Sequence, residues 1–414
     1  MQSESNRIDW LTIGQLGVGV VSCLISFLLA GMLFLLGGQV MLNPGTTAAD
    51  YVVFFLLAGL SAGVGVLNIP SVVLAVRSVG GRTTDLKIRI GTYQLAYYAV
   101  LTVPLILLLG HLISQSSLAW LVLPFLNFLA LLLPIWWIIE FGRRNLSSGS
   151  PQRSWGLVSV SLSITPIVVI LVEFFFLILV VLAVLLVLGS QPVWMERFNQ
   201  LVIQFNQGEI NPAFAQTLLM SAFESPLVVM VLFFTVGLLM PLIEELLKPL
   251  GLWVLRKKVL SPAEGFSAGL ICGAGFALME SAVLIAQSGG ESWAQMVLLR
   301  IATSILHITA SGLVGWGLAC AWKQKSIKRF LLALLAATAV HGVWNSLAIL
   351  SALLPYLTGA SQPTFVSAIP VGLTMLVLFS ILVGLSVVLF RTNRRLQVEP
   401  AKVDVSLQSP PPRV

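Results

Sequence analysis

Four apolar stretches in the second half of this chain carry side chains that lipid tolerates poorly. The first holds Glu244, Glu245 and Lys248 between Pro241 and Pro249, the second Phe276 and Glu280, the third His307, and the fourth His341 and Asn345. Charged groups at bilayer depth are costly, and as a rule they face a bundle interior and serve a function. Glu244 and Lys248, Phe276 and Glu280, and His341 and Asn345 are each i,i+4 pairs, so each pair shares one helical face. At about 1.5 Å per residue from the nearest basic cluster or loop, Glu245, Glu280, His307 and His341 lie roughly 16–24 Å deep. Similar depth on four helices lets them converge on one site. Glu244, Glu245 and Glu280 against Lys248 leave a surplus of two negative charges, which a low-dielectric site must cancel with protons or a cation. A divalent ion does so, and carboxylate with imidazole suits zinc. The competing reading is a protonated, hydrogen-bonded knot that glues helices together; the full constellation favours the metal.

The elements that must position these groups are transmembrane helices. The chain has 414 residues, of which 57% are hydrophobic and only 9% charged, and its mean hydropathy is +0.98. A soluble domain carries roughly 25% charge, so a water-soluble globular enzyme is excluded. Apolar runs between polar breaks mark ten spans, near 11–37, 52–76, 90–114, 117–141, 156–189, 225–255, 264–287, 293–322, 330–355 and 367–390. The expected fold is therefore an all-α polytopic helical bundle. The first run is too long for a signal-peptide core and lacks a basic leader, which reads as a retained anchor.

The formal net charge is +7, but the cations cluster between spans instead of tracking a nucleic-acid groove. Arg7, Arg77 to Arg89, Arg143 to Arg153, Arg256 to Lys258, Lys323 to Arg329 and Arg391 to Arg413 all fall on one side of a ten-span path. Only Arg197 occupies the opposite loops, so the positive-inside rule puts both termini in the cytoplasm. Residues 1–224 form an N-terminal five-span region ending in an extracytoplasmic loop, Ser190 to Pro226, with an amphipathic helix carrying Trp194, Phe198, Leu201, Val202 and Phe205. Residues 225–355 form a four-helix core, 356–395 a last span, and 396–414 a disordered cytoplasmic tail. Cys23, Cys272 and Cys320 lie in apolar runs without a CxxC pair and carry no functional signal.

Small residues say how the core helices meet. Gly265, Gly269, Gly273 and Ala277 recur every four residues, as do His307, Ser311, Gly315 and Ala319, and Ala333, Ala337, His341 and Asn345. Such rows let helices approach closely, so both histidines should face protein.

The succession EExxK (Glu244, Glu245, Lys248), FxxxE (Phe276, Glu280), a lone mid-helix His307 and HxxxN (His341, Asn345) resembles the PrsW family of intramembrane metalloproteases. That family sits in a superfamily with the CAAX prenyl endopeptidases and bacteriocin-processing enzymes. The resemblance covers about residues 225–350 and not the first five spans. The CAAX branch typically shows EExxxR and FxxxH, whereas here Lys248 comes one residue earlier and Glu280 ends the second motif; Asn345 does not discriminate. The resemblance implies hydrolysis of peptide bonds in membrane-anchored proteins, such as anti-sigma factors, in a bacterial plasma (inner) membrane. It implies Glu280, His307 and His341 as ligands of a divalent metal, with zinc expected, and Glu244 or Glu245 as the base acting on the metal's water. Glu244 is the choice by analogy with the first Glu of the motif. Lys248 would orient or charge-balance the glutamates, and Asn345 would donate to the oxyanion.

Two other classes compete. An ion- or proton-coupled transporter also uses intramembrane Glu and His, but the two halves show no matching motifs; Glu173 in the fifth span is a lone acid that either reading must accommodate. A catalytically inactive scaffold would keep the fold residues. No HExxH or GxGD motif occurs, and Ser311-Gly312 with His341 is a poor rhomboid-like dyad because Thr309 stands where Gly is needed. His111 and Glu140 read as interface residues.

Overall fold

The computed structural model describes residues 10–81, 92–147, 149–207, 211, 214, 217, 221, 223–258, 260–287, 292–357 and 365–406. Among these every regular element is helical. Helices α1 (Trp10–Leu42), α2 (Ala48–Val79), α3 (Thr92–Val100), α4 (Val103–Ser114), α5 (Ala119–Gly142), α6 (Pro151–Gly189) and α7 (Pro192–Gln207) make up the N-terminal half. After α8 (Pro226–Phe234) and a π turn (Thr235–Leu239) come α9 (Met240–Leu247), α10 (Leu250–Val254), α11 (Pro262–Gln287), α12 (Trp293–Lys323), α13 (Ile327–Leu357) and α14 (Phe365–Ser406). Nine of the described helical segments are long and apolar enough to cross a membrane, and the pair α3 and α4, bent by 40°, makes ten if it is counted as one broken span instead of a re-entrant loop. That bend falls just before Pro104, whose missing N–H cannot continue the α3 ladder. The chain is a multi-pass integral membrane protein with the expected helical architecture.

By contact the chain forms two compact units. One comprises Met1–Ile167, Glu245–Ala337 and Phe379–Val414; the other comprises Val168–Glu244 and Thr338–Leu378.

The core of the first unit is the crossing of α11 and α12. Residues 265–278 are buried on every face, which an amphipathic surface helix cannot be. A Cβ at Gly265 would stand 2.6 Å from the Gly315 carbonyl oxygen, one at Gly269 2.2 Å from that of Ser311, and one at Gly273 2.4 Å from that of His307. The every-four row thus brings backbone against backbone, as its spacing predicts. Around this crossing pack α2, α5 and the start of α6, with Trp293 fully buried and its indole N–H donating to Asn127 Oδ1 at 3.3 Å. Leu396 is buried, and Asn393 and Gln397 donate to the Arg144 carbonyl at 2.9 Å. The segment expected to be disordered from Leu396 is therefore tied down at its start. The backbone stays helical to Ser406, and 407–414 lie outside the described residues.

In the second unit Gly342 of α13 meets the π turn: a Cβ there would stand 1.7 Å from the Gly237 carbonyl oxygen. The π turn precedes Pro241, and a wide turn is one way a helix accommodates a residue without an N–H. The amphipathic helix is present as α7. Trp194 is buried, whereas Val202 and Phe205 are exposed.

Candidate active site

The first unit gathers four ionisable groups around His307. Glu245 and Lys248 are both fully buried, and Lys248 Nζ donates to Glu245 Oε1 at 2.7 Å. The same ammonium lies 2.8 Å from His307 Nδ1 and 4.6 Å above the Phe276 ring centre. His307 Nε2 lies 2.8 Å from Glu280 Oε2, and Arg300 Nη2 lies 2.8 Å from that oxygen. Arg300 Nε then donates to Ser281 Oγ at 3.1 Å. The result is a continuous chain, Glu245–Lys248–His307–Glu280–Arg300, with two carboxylates, two cations and one imidazole.

Helical spacing explains why these side chains meet. Glu245 and Lys248 are i,i+3 in the turn that Pro249 ends, and Arg300 precedes His307 by two turns on one face of α12. Phe276, one turn before Glu280, packs its ring against the His307 imidazole at 5.6 Å between centres. Gly273 lets α11 approach the His307 backbone, which brings Glu280 within reach. Which partner donates across the Lys248–His307 contact depends on the ring tautomer, and Nε2 is open to a metal only when Nδ1 carries the ring proton.

Glu244 and Lys248 share a face by their i,i+4 spacing, and the ion pair that Lys248 makes is with Glu245. Adjacent helix residues point about 100° apart, so Glu244 looks elsewhere. It belongs to the second unit, where its Oε2 lies 3.8 Å from His341 Nε2. His341 is buried, and Asn345, partly buried, follows one turn later on the same face of α13. Glu173 is half-buried in this unit. Glu140, expected at an interface, is buried in the first unit and accepts from Thr92 Oγ1 at 2.9 Å while pairing with Arg143.

Arg300 escaped the sequence reading. A cation two turns before His307 on the same face was the available signal, masked by its place in a run scored only for hydropathy. Its presence changes the charge count. Counting Arg300 with Lys248 against Glu244, Glu245 and Glu280, the surplus falls from two negative charges to one.

The donor types fit a divalent metal: each unit places an imidazole opposite a carboxylate. Two ligand atoms at about 2.0–2.2 Å from a tetrahedral zinc stand roughly 3.4 Å apart. The 3.8 Å between His341 and Glu244 exceeds a hydrogen bond and is close to that value, whereas 2.8 Å between His307 and Glu280 is a hydrogen-bond distance.

Buried carboxylates, imidazoles and cations on apolar helices define a polytopic membrane protein with a polar intramembrane centre. Residues 165–385, more than half of the chain, match the PrsW family intramembrane metalloprotease. The chain belongs to that family, and is an intramembrane protease acting on membrane-protein substrates in a lipid bilayer. The match begins within α6, so it reaches further back than the motif-bearing stretch and takes in most of the fifth span. No curated protein and no solved structure matches the chain.

Proposed function

We propose that this protein is a metal-dependent endopeptidase that hydrolyses peptide bonds of membrane-anchored proteins. The observation that carries the reading is the His341–Glu244 pair, too far apart for a hydrogen bond and suitably spaced for ligands of one ion. Glu244 and His341 offer a carboxylate and an imidazole, donor types that zinc takes. In the assignment drawn from the family motifs, His307, His341 and Glu280 hold the ion and Glu244 is the base. When bound, the ion supplies Lewis acidity, which polarises the scissile carbonyl and acidifies water.

The chain's own residues do the rest. The base accepts the water's proton on a carboxylate oxygen and returns it to the departing amine. Lys248, anchored by Glu245, orients His307 through Nδ1, and Arg300 holds Glu280 against the other ring nitrogen. Asn345 donates its amide to the developing oxyanion. The 3.8 Å spacing also supports a second division of roles, in which Glu244 is the third ligand and Glu280, steadied by Arg300, takes the proton. The basic loops support a cytoplasmic position for both termini, and the family supports a bacterial plasma membrane with membrane-anchored regulators, such as anti-sigma factors, as substrates.

Elemental analysis and cleavage of a single-span reporter in proteoliposomes test the proposal together. The parent should carry near-stoichiometric zinc and cleave. Glu244→Gln should keep the metal and lose cleavage if Glu244 is the base, but lose both if it is a ligand; Glu280→Gln should give the converse. A folded parent that takes up no divalent ion on reconstitution would overturn the metal mechanism.

A further inference from the structure

The join between α9 and α10 carries Lys248, and one aromatic side chain closes it. Pro249 has no N–H to continue the α9 ladder, and the residue before a proline is disfavoured in helical backbone, so α9 stops at Leu247 and Lys248 falls in the join. A break of this kind frees backbone carbonyls, and a membrane helix tolerates it where neighbouring groups take them up. Trp253 of α10 spans the join with two hydrogen bonds. Its backbone N–H donates to the Pro249 carbonyl at 3.2 Å, and its indole Nε1–H reaches back seven residues to the Leu246 carbonyl at 3.1 Å.

Leu246 stands between Glu245 and Lys248, the buried pair whose ammonium lies 2.8 Å from His307 Nδ1. The indole is itself held. It lies edge-on to Trp322 near the end of α12, with centres 6.0 Å apart, and to Phe330 near the start of α13, at 5.9 Å. Since α12 also carries His307, the indole ties the turn bearing Lys248 to the helix bearing the imidazole, and all of these residues belong to the first unit. A phenylalanine would fill the aromatic contact, but only a ring with an N–H can also cap the carbonyl. The tolerance is narrow. Lys248 Nζ is 2.7 Å from Glu245 Oε1 and 2.8 Å from His307 Nδ1, so a displacement of the turn by about 1 Å breaks one contact or the other.

We propose that Trp253 is a positioning residue for proteolysis, whose indole N–H holds the Leu246 carbonyl and thereby sets Lys248 against His307. The inference rests on the part given to His307 in the proposed hydrolysis, and one of its two readouts is independent of cleavage.

The chain has three histidines, so full-length protein labelled with nitrogen-15 in histidine alone shows one pair of ring nitrogens for each, and His307→Gln identifies the His307 pair. Site-specific replacement of Trp253 by benzothienylalanine, which keeps both fused rings and puts sulfur in place of the N–H, removes the hydrogen bond alone. It should move the His307 Nδ1 resonance, leave those of His111 in place, and lower kcat on the single-span reporter about tenfold with KM unchanged. Phe330→Leu, which weakens the ring contact and keeps the donor, should lower the melting temperature without moving the His307 resonance. An unmoved His307 Nδ1 resonance in the benzothienyl protein would overturn the proposal at any cleavage rate, and so would a moved resonance with the parent kcat. If the parent cleaves no reporter, the proteolytic reading falls, while the resonance still decides whether the indole sets Lys248 against His307.

Discussion

The two units treat their histidines differently. His307 is held through both ring nitrogens, by Lys248 on one side and Glu280 on the other, and each of those partners has its own counter-charge. His341 faces Glu244 across 3.8 Å, on a helix pinned by glycine against the π turn. The first imidazole is positioned by a charge-balanced chain at hydrogen-bond distances, while the second stands opposite a carboxylate at a wider spacing. A buried balanced chain restricts geometry, whereas a carboxylate and an imidazole set apart beyond a hydrogen bond suit two ligands of one cation.

Removing the groups of the wider pair should have the largest effect. Glu244→Gln and His341→Ala should each lower reporter cleavage by about 10²–10⁴-fold, with α-helical circular dichroism unchanged. If either variant cleaves at the parent rate, the difference between the units has no catalytic meaning. On the balanced side the damage should fall on folding. Lys248→Met strands the fully buried Glu245 and should cost about 3–5 kcal/mol. Adding Glu245→Leu should restore part of that stability in thermal unfolding without restoring activity, because His307 still lacks its Nδ1 partner.

Gly273→Ala and Gly342→Ala compare the two pinning contacts. Each new methyl meets a carbonyl oxygen of a neighbouring segment, at His307 in one unit and Gly237 in the other, so each should destabilise by about 1–3 kcal/mol. A loss for one and not the other would show that only one unit depends on close backbone approach. Smallest should be the effect of Arg300→Lys, which keeps a cation beside Glu280, against a loss of about 10–100-fold in cleavage for Arg300→Gln. Equal activity for the two would remove Arg300 from the positioning chain.

Much of this protein was legible before any coordinates. Hydropathy marks the spans because lipid demands about 20 apolar residues for each crossing. The rows Gly265-Gly269-Gly273 and His307-Ser311-Gly315 announce a backbone contact, since a fixed helical period places every fourth residue on one stripe. The polar residues at depth stand out against their surroundings, and their order carries the family resemblance. What the sequence did not reveal was partnership. Lys248 has glutamates three and four residues before it, and both can reach it; only the burial of Glu245 beside His307 decides between them. Arg300 looked like an interruption in an apolar run until Glu280 and Ser281 of another helix were seen to receive it. Periodicity determines which residues share a face. The rotation of each helix about its axis, and hence which charge meets which, is decided by packing, because it depends on where the neighbouring backbones lie.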